Sequence, residues 1–225
     1  MSKNLTDKQN EQLNIYFEML IDWNKKINLT AITEKEEVWL KHFEDSLSIE
    51  KILDLDSIGS VIDVGTGAGF PGLPIKIAFP HIRLTLLDSL DKRIHFLEAV
   101  VRELELTDVE CVHGRAEDFS RKLDYREKYD LCVSRAVAGL SVLSELCIPF
   151  VKPGGSFVAY KSEKAETEII EASNALSVLN GEIRSTEEFT LSDNVQKRVL
   201  INIEKIGITP EKYPRRAGVP AKKPL

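Results

Sequence analysis

Apolar residues Leu13, Tyr16, Phe17, Leu20 and Ile21 recur at helical spacing, which predicts an amphipathic helix over about residues 7–26. Thr33 and Glu36 have the spacing of a capping box, so a second helix is expected to start near Glu34. A third is expected through FEDSLSIEKIL, and WNKKINLTAIT joins the first two. From Ser60 the texture changes. VIDV, RLTLLD, VECVHG, YDLCVS and GSFVAYK are short apolar runs suited to buried strands. Between them PIKIAF, stopped by Pro80, DKRIHFLEAVVREL and GLSVLSELCIPF carry helical spacing. A helix over about residues 163–179 follows. EIRSTEEFTL and RVLINIEKI then come with no helix between them and are expected to pair antiparallel at one sheet edge. This alternation predicts an α/β fold, a mostly parallel sheet with helices on both faces. Residues 1–55 form an N-terminal helical cap, 56–206 the α/β core and 207–225 a basic, proline-containing C-terminal segment, all within one structural domain.

Charge sharpens the picture. The chain carries a net −6, which argues against indiscriminate coating of nucleic acid. Yet residues 211–225 hold five cations, Lys212, Arg215, Arg216, Lys222 and Lys223, against one anion, Glu211. A cationic tail on an acidic body suits a defined anionic partner. Its prolines and Gly218 argue against regular secondary structure there, leaving the cations on display. Truncation after Ile208 is accordingly expected to weaken binding of that partner and to spare any ligand held by the α/β core.

No apolar run approaches the ~20 residues of a membrane span, and the first residues lack the order of a secretory signal. A cytoplasmic monomer is expected. Cys111, Cys132 and Cys147 lie in apolar stretches, and the four histidines lack metal-ligand spacing; no metal is expected.

The stretch VIDVGTGAGFPGLP places Gly65, Gly67 and Gly69 directly behind the first strand, where a parallel sheet gathers its ligands. Glycines there allow φ > 0 and close approach of a ligand to backbone. The spacing is G-x-G-x-G, preceded by Asp63. The dinucleotide pattern would need glycine where Phe70 stands, and no G-K-[ST] follows. A nucleoside-like ligand without pyrophosphate is the consequence. Asp88 ends the second strand, the place from which an acid takes ribose hydroxyls. In GRAEDF, Ala116 is small enough for a purine face, and Glu117 or Asp118 can take an adenine amino group.

These residues resemble the cofactor half of Rossmann-like S-adenosylmethionine-dependent methyltransferases. WNKKINLTAIT, KHFEDSL, DVGTGAGFPGLPIKIAFP, RAED, SRAVA and YPRRAGVPAKKPL together resemble the glucose-inhibited division protein B family, from about Leu13 to Leu225. The resemblance implies methylation of a guanine N7 in bacterial 16S ribosomal RNA, alone or in the small subunit. It also implies cofactor contacts at Gly65, Phe70, Ala116, Glu117 and Arg135.

The end of the fourth strand bears on which atom is methylated. Ser134, Arg135 and Ala136 stand where an amine methylase typically carries an Asn/Asp-Pro-Pro-aromatic turn. Cys132 sits inside an apolar strand, unlike the exposed thiolate that pyrimidine C5 chemistry needs. Arg135 replaces the acid a ribose methylase would want. Guanine N7 needs alignment and no general base. Arg135 suits the cofactor carboxylate, an RNA phosphate or the guanine face; the resemblance puts it on the cofactor. Lys161, Arg215, Arg216, Lys222 and Lys223 are the expected RNA contacts. Trp23 is expected to pack on the sheet, with Asn24 and Asn28 as caps. His42 and Asp45 invite an i, i+3 pair. A nucleotide-dependent oxidoreductase and a non-enzymatic RNA-binding protein are the competing readings; the missing glycine at Phe70 counts against the first.

Overall fold

The computed structural model describes residues 5–191 and 196–225. Helix α1 (Asp7–Ile27) opens with the Thr6–Gln9 capping box and closes on Asn28 in the left-handed conformation. A continuous helical run follows over residues 35–51: α2 (Lys35–Val38), a π-helical turn (Trp39–Glu44), α3 (Asp45–Leu47) and a 3-10 turn (Ser48–Lys51). Two helices expected here are thus one run. The Thr33–Glu36 capping box does not form, since the N-cap is Glu34 and carries no side-chain cap.

The sheet is built from β1 (Ser60–Val64), β2 (Arg83–Asp88), β3 (Val109–His113), β4 (Tyr129–Arg135), β5 (Val151–Lys161), β6 (Gly181–Thr190) and β7 (Lys197–Lys205). Its order is β3-β2-β1-β4-β5-β7-β6. The first five strands are parallel, and β7 runs antiparallel to both β5 and β6. Strand order reverses between β1 and β4, so β1 ends at the crevice where such sheets hold ligands.

Connecting helices are α4 (Gly72–Ala78), α5 (Asp91–Glu103), α6 (Ala116–Phe119), α7 (Leu140–Cys147), α8 (Ala165–Glu171), α9 (Ser173–Leu179) and α10 (Val219–Lys222). The helix expected over 163–179 is two, separated at Ala172. The tail, expected to be irregular throughout, contains α10, with Pro220 in its first turn, where a missing N–H goes unnoticed.

Successive strand residues face opposite cores. Leu131 and Val133 join α1, the 35–51 run, α4 and α5 on one face; Cys132 joins α7, α8 and α9 on the other. Helix α4 is buried along its whole length, and Gln9 of α1 donates to the Ile77 and Ala78 carbonyls at its end (2.8 and 3.0 Å). Trp23 packs on Phe96 of α5, ring centroids 5.6 Å apart.

Candidate cofactor site at the glycine turn

The turn after β1 is tied to the neighbouring strand, with Gly65 N–H and Thr66 N–H both donating to the Leu87 carbonyl (2.8 and 3.1 Å). Gly65, Gly67 and Gly69 have φ of +71°, +62° and +100°, conformations that disfavour a side chain. Their surroundings differ. A Cβ on Gly65 would lie 2.6 Å from Val137 Cγ2, and one on Gly69 2.5 Å from Leu73 Cδ1 and 2.7 Å from the Tyr16 hydroxyl. A Cβ on Gly67 would meet nothing within 4 Å. At two of them an added side chain would meet the protein's own side chains, and of the three only Gly67 faces open space.

Asp63 braces this turn from below. Its Oδ2 accepts from Thr66 Oγ1 (2.7 Å) and Gly72 N–H (2.8 Å), while Oδ1 is buried without a partner among the described residues. Burial pushes this carboxyl up to about 7. From the other side the Tyr16 hydroxyl donates to the Ala68 carbonyl, and burial keeps that phenol protonated by raising its pKa. The Tyr16 ring stacks on Phe70, centroids 5.3 Å apart. An N-terminal helix therefore holds the glycine turn in shape.

Asp88 lies against the open glycine. Its Oδ2 accepts from Gly67 N–H at 2.9 Å and Arg93 Nη1 at 3.2 Å, and its Oδ1 from Leu90 N–H at 2.9 Å. One acid thus serves the approach to α5 and the glycine turn; the N-cap of α5 is Leu90, which provides no side-chain cap. Gly114 N–H donates to the Asp88 carbonyl (2.9 Å), bringing the end of β3 beside it. Ala116 and Glu117 then begin α6, both buried, while Asp118 is exposed. Glu117 Oε1 accepts from Gly218 N–H at 2.9 Å, its one side-chain hydrogen bond among the described residues.

Arg135, at the end of β4, is held by the N-terminal run. Its Nη1 donates to Asp45 Oδ2 (2.6 Å) and the Lys41 carbonyl (3.1 Å), and its Nη2 to His42 Nδ1 (3.2 Å). His42 Nδ1 lies between the Arg135 guanidinium and the Lys41 carbonyl (3.1 Å), which compete for it through opposite tautomers, and Nε2 lies 2.9 Å from Thr30 Oγ1. Burial, then the Arg135 charge, lowers His42 to about 3, so the ring is neutral. It stacks on Phe70 at 4.5 Å. The expected His42–Asp45 pair is replaced by a shared partner. Arg135 Nε takes no bond among the described residues. Asp45, His42, Arg198 and Arg135 come together only through the fold, and KHFEDSL is their local trace in the sequence.

Two expected RNA contacts turn inward. Lys161 Nζ donates to the Ala138 carbonyl and pairs with Glu168, each at 2.6 Å, with its side chain 8% exposed. Arg215 pairs with buried Glu145 through Nη2 at 2.6 Å. Arg216, Lys222 and Lys223 are exposed and have no side-chain partner among the described residues. No group of His, Cys, Asp or Glu placed to hold a metal occurs among the described residues. A groove of about 1140 Å³ lies between α1, the 35–51 run and Phe189. None of the expected site residues lines it, so it is not the site.

An open glycine, a carboxylate beside it and a second acid with a free oxygen at the next strand end fit a nucleoside at the strand-order reversal. Together with the sheet order, they define the class: a Rossmann-like S-adenosylmethionine-dependent methyltransferase fold. The solved structure of M. jannaschii TYW2 in complex with AdoMet shares that fold, with a TM-score of 0.57 at 15% identity, covering 73% of this chain and 76% of that one. The chain belongs to the GidB family, described as rRNA small subunit methyltransferase G, whose model matches residues 9–199. It is 51% identical over 221 residues to Ribosomal RNA small subunit methyltransferase G of Brevibacillus brevis, covering 98% of this chain and 93% of that protein. The protein of that name from Lachnoclostridium phytofermentans is 50% identical over 225 residues, covering 100% and 93%.

Proposed function

We propose that this protein transfers a methyl group from S-adenosylmethionine to N7 of a guanine in bacterial 16S ribosomal RNA, in the cytoplasm. The observation that carries the reading is the family match over residues 9–199, centred on a turn whose Gly67 opens outward beside Asp88. Gly67 and Asp88 would hold the ribose, with Gly65 and Gly69 shaping the turn. Ala116 and Glu117 would border the purine, and Phe70 and Arg135 the methionine end. The cofactor supplies an electrophilic sulfonium methyl.

The protein's own contribution is alignment. Guanine N7 presents an unprotonated lone pair in the ring plane, so no group has to remove a proton before attack. The titratable groups near the turn agree with that. Asp63 is fully buried under the turn, and His42 is neutral and committed to Arg135 and Thr30. Cys132 is buried and its thiol pKa is pushed well up by burial, which removes a thiolate route to pyrimidine carbon. Arg135 is best read as a positioning residue: its guanidinium carbon lies 5.2 Å from the Phe70 ring centre, and its Nε–H remains for a cofactor or RNA oxygen.

The domain division follows the same logic. Residues 1–55 brace the turn, residues 56–206 form the cofactor-binding core, and residues 207–225 bear the exposed cations. The deciding experiment is incubation with labelled methyl donor and 16S RNA from a strain lacking the gene, followed by nuclease digestion. Label at guanine N7 is expected; label on adenine, a pyrimidine or a ribose would overturn the assignment.

A further inference from the structure

We infer that residues 213–225 form a strap over the purine side of the cofactor site, and that Glu117 ties cofactor occupancy to an RNA-docking face made by Arg216, Lys222 and Lys223. The inference rests on the methyltransferase reading above.

The strap is fastened along its length. Arg126 donates to the carbonyls of Thr209 (2.8 Å), Pro210 (3.4 Å) and Tyr213 (3.0 Å). Arg121 donates to those of Glu211 (3.4 Å), Lys212 (3.3 Å) and Pro214. Tyr213 is buried in the core beneath α7. Glu145, 1% exposed on α7, receives Arg215 N–H at 2.7 Å, Nε at 2.9 Å and Nη2 at 2.6 Å. At the far end Ser141 Oγ donates to the Leu225 carbonyl at 3.1 Å. An ordinary solvated tail would leave these groups to water.

Glu117 joins the two functions. One carboxylate oxygen holds Gly218 N–H, at the N-cap of α10, and the other takes no hydrogen bond among the described residues. Glu117 follows Ala116 at the start of α6, next to the strand end whose Gly114 N–H holds the Asp88 carbonyl, the side assigned above to the purine. An acceptor that is already fixed by one donor loses less freedom on taking a second. A purine amino group on Oε2 therefore favours the strap conformation that Oε1 selects, and the strap favours the purine in return. Inward Arg215 and outward Arg216 alternate, so fixing the strap also fixes the direction in which Arg216, Lys222 and Lys223 point. Phosphate oxygens of RNA are the partner such unpaired cations fit.

Linkage makes the coupling reciprocal. The test titrates 16S RNA from a strain lacking the gene against the protein with and without S-adenosylhomocysteine, a neutral probe that removes the sulfonium charge from the comparison. RNA affinity is expected to rise about fivefold or more with the probe. Glu117→Gln, which cannot offer Oε2 as an acceptor, should bind the probe more weakly and lose the rise. Arg216→Ala/Lys222→Ala/Lys223→Ala should bind the probe as the parent does, but bind RNA more weakly with a shallower dependence on salt. Hydrogen exchange over residues 213–225 should slow when the probe binds the parent and not the Glu117 variant. Equal RNA affinity with and without the probe, or exchange in the strap untouched by it, overturns the inference. If the parent still methylates guanine N7 in that case, the methyltransferase reading stands and only the coupling falls. If no methyl transfer occurs, both fall.

Discussion

Arg135 Nη1 lies 2.6 Å from Asp45 Oδ2, and the second oxygen of that buried carboxylate takes Arg198 Nε at 2.9 Å. One acid, 2% exposed, therefore joins the N-terminal run to β4 and β7. Removing its charge leaves two guanidinium groups facing a neutral amide. Asp45→Asn is expected to lower unfolding free energy by about 3 kcal/mol. Urea denaturation checks this, and a loss below about 0.5 kcal/mol would show the bridge to be incidental.

The three turn glycines should separate under substitution. Gly67→Ala strains a left-handed residue by about 1 kcal/mol but meets no neighbour. It should fold and lose S-adenosylmethionine affinity by tenfold or more. Gly65→Ala and Gly69→Ala add contacts at 2.6 and 2.5 Å to the same strain and should each lower stability by about 3 kcal/mol. Calorimetric titration beside thermal melting distinguishes them; normal cofactor affinity in Gly67→Ala would move the ligand away from this turn.

How much of this was legible in the sequence depended on range. RLTLLD reads as a strand with the observed ends, because a central parallel strand is apolar on both faces whatever surrounds it. The antiparallel edge pair followed from two strand runs with no helix between them. The π-helical turn at Trp39–Glu44 has no local signature, since its His42 and the following Asp45 meet a guanidinium from residue 135. The position of the glycine turn behind β1 was readable; which glycine opens outward was not, because Val137, Leu73 and Tyr16 come from elsewhere in the chain. In the tail, composition counted the cations correctly but could not tell inward Arg215 from outward Arg216.

That distinction changes the expected result of truncation. Deleting residues after Ile208 leaves Glu145 and Glu117 without donors they hold in the native state, so fold and cofactor binding should both suffer. Arg215→Ala alone should lower stability by about 3 kcal/mol, since Glu145 would remain buried and unpaired. Lys222→Ala and Lys223→Ala should each stay within about 0.5 kcal/mol of the parent in urea denaturation. Indistinguishable midpoints for all three variants would contradict the buried pair.

Asp63 and His42 set opposing pH dependences. Burial raises Asp63 to about 7, so its stabilising contribution is full below about pH 4 and is lost as pH rises toward 7. Burial lowers His42 to about 3, so its contribution is full above pH 6.5 and is lost as pH falls toward 3. Between about pH 4.5 and 6.5 the two slopes, each about 1.4 kcal/mol per unit, cancel. Asp63→Asn should therefore grow more stable as pH rises through that window, and His42→Gln less stable. Parallel profiles for the two variants, measured by denaturation midpoints, would refute the assignment.

The placing of β7 between β5 and β6 has a consequence for how the chain is made. The last strand to leave the ribosome is the one that fills the gap, so β6 waits without its hydrogen-bonding partner until residues 197–205 emerge. Until then β5 presents an open edge, the kind of surface on which unfinished chains stick to one another. Completion of the sheet is thus a late event that depends on distant segments meeting, and any lesion that delays β7 prolongs the vulnerable interval.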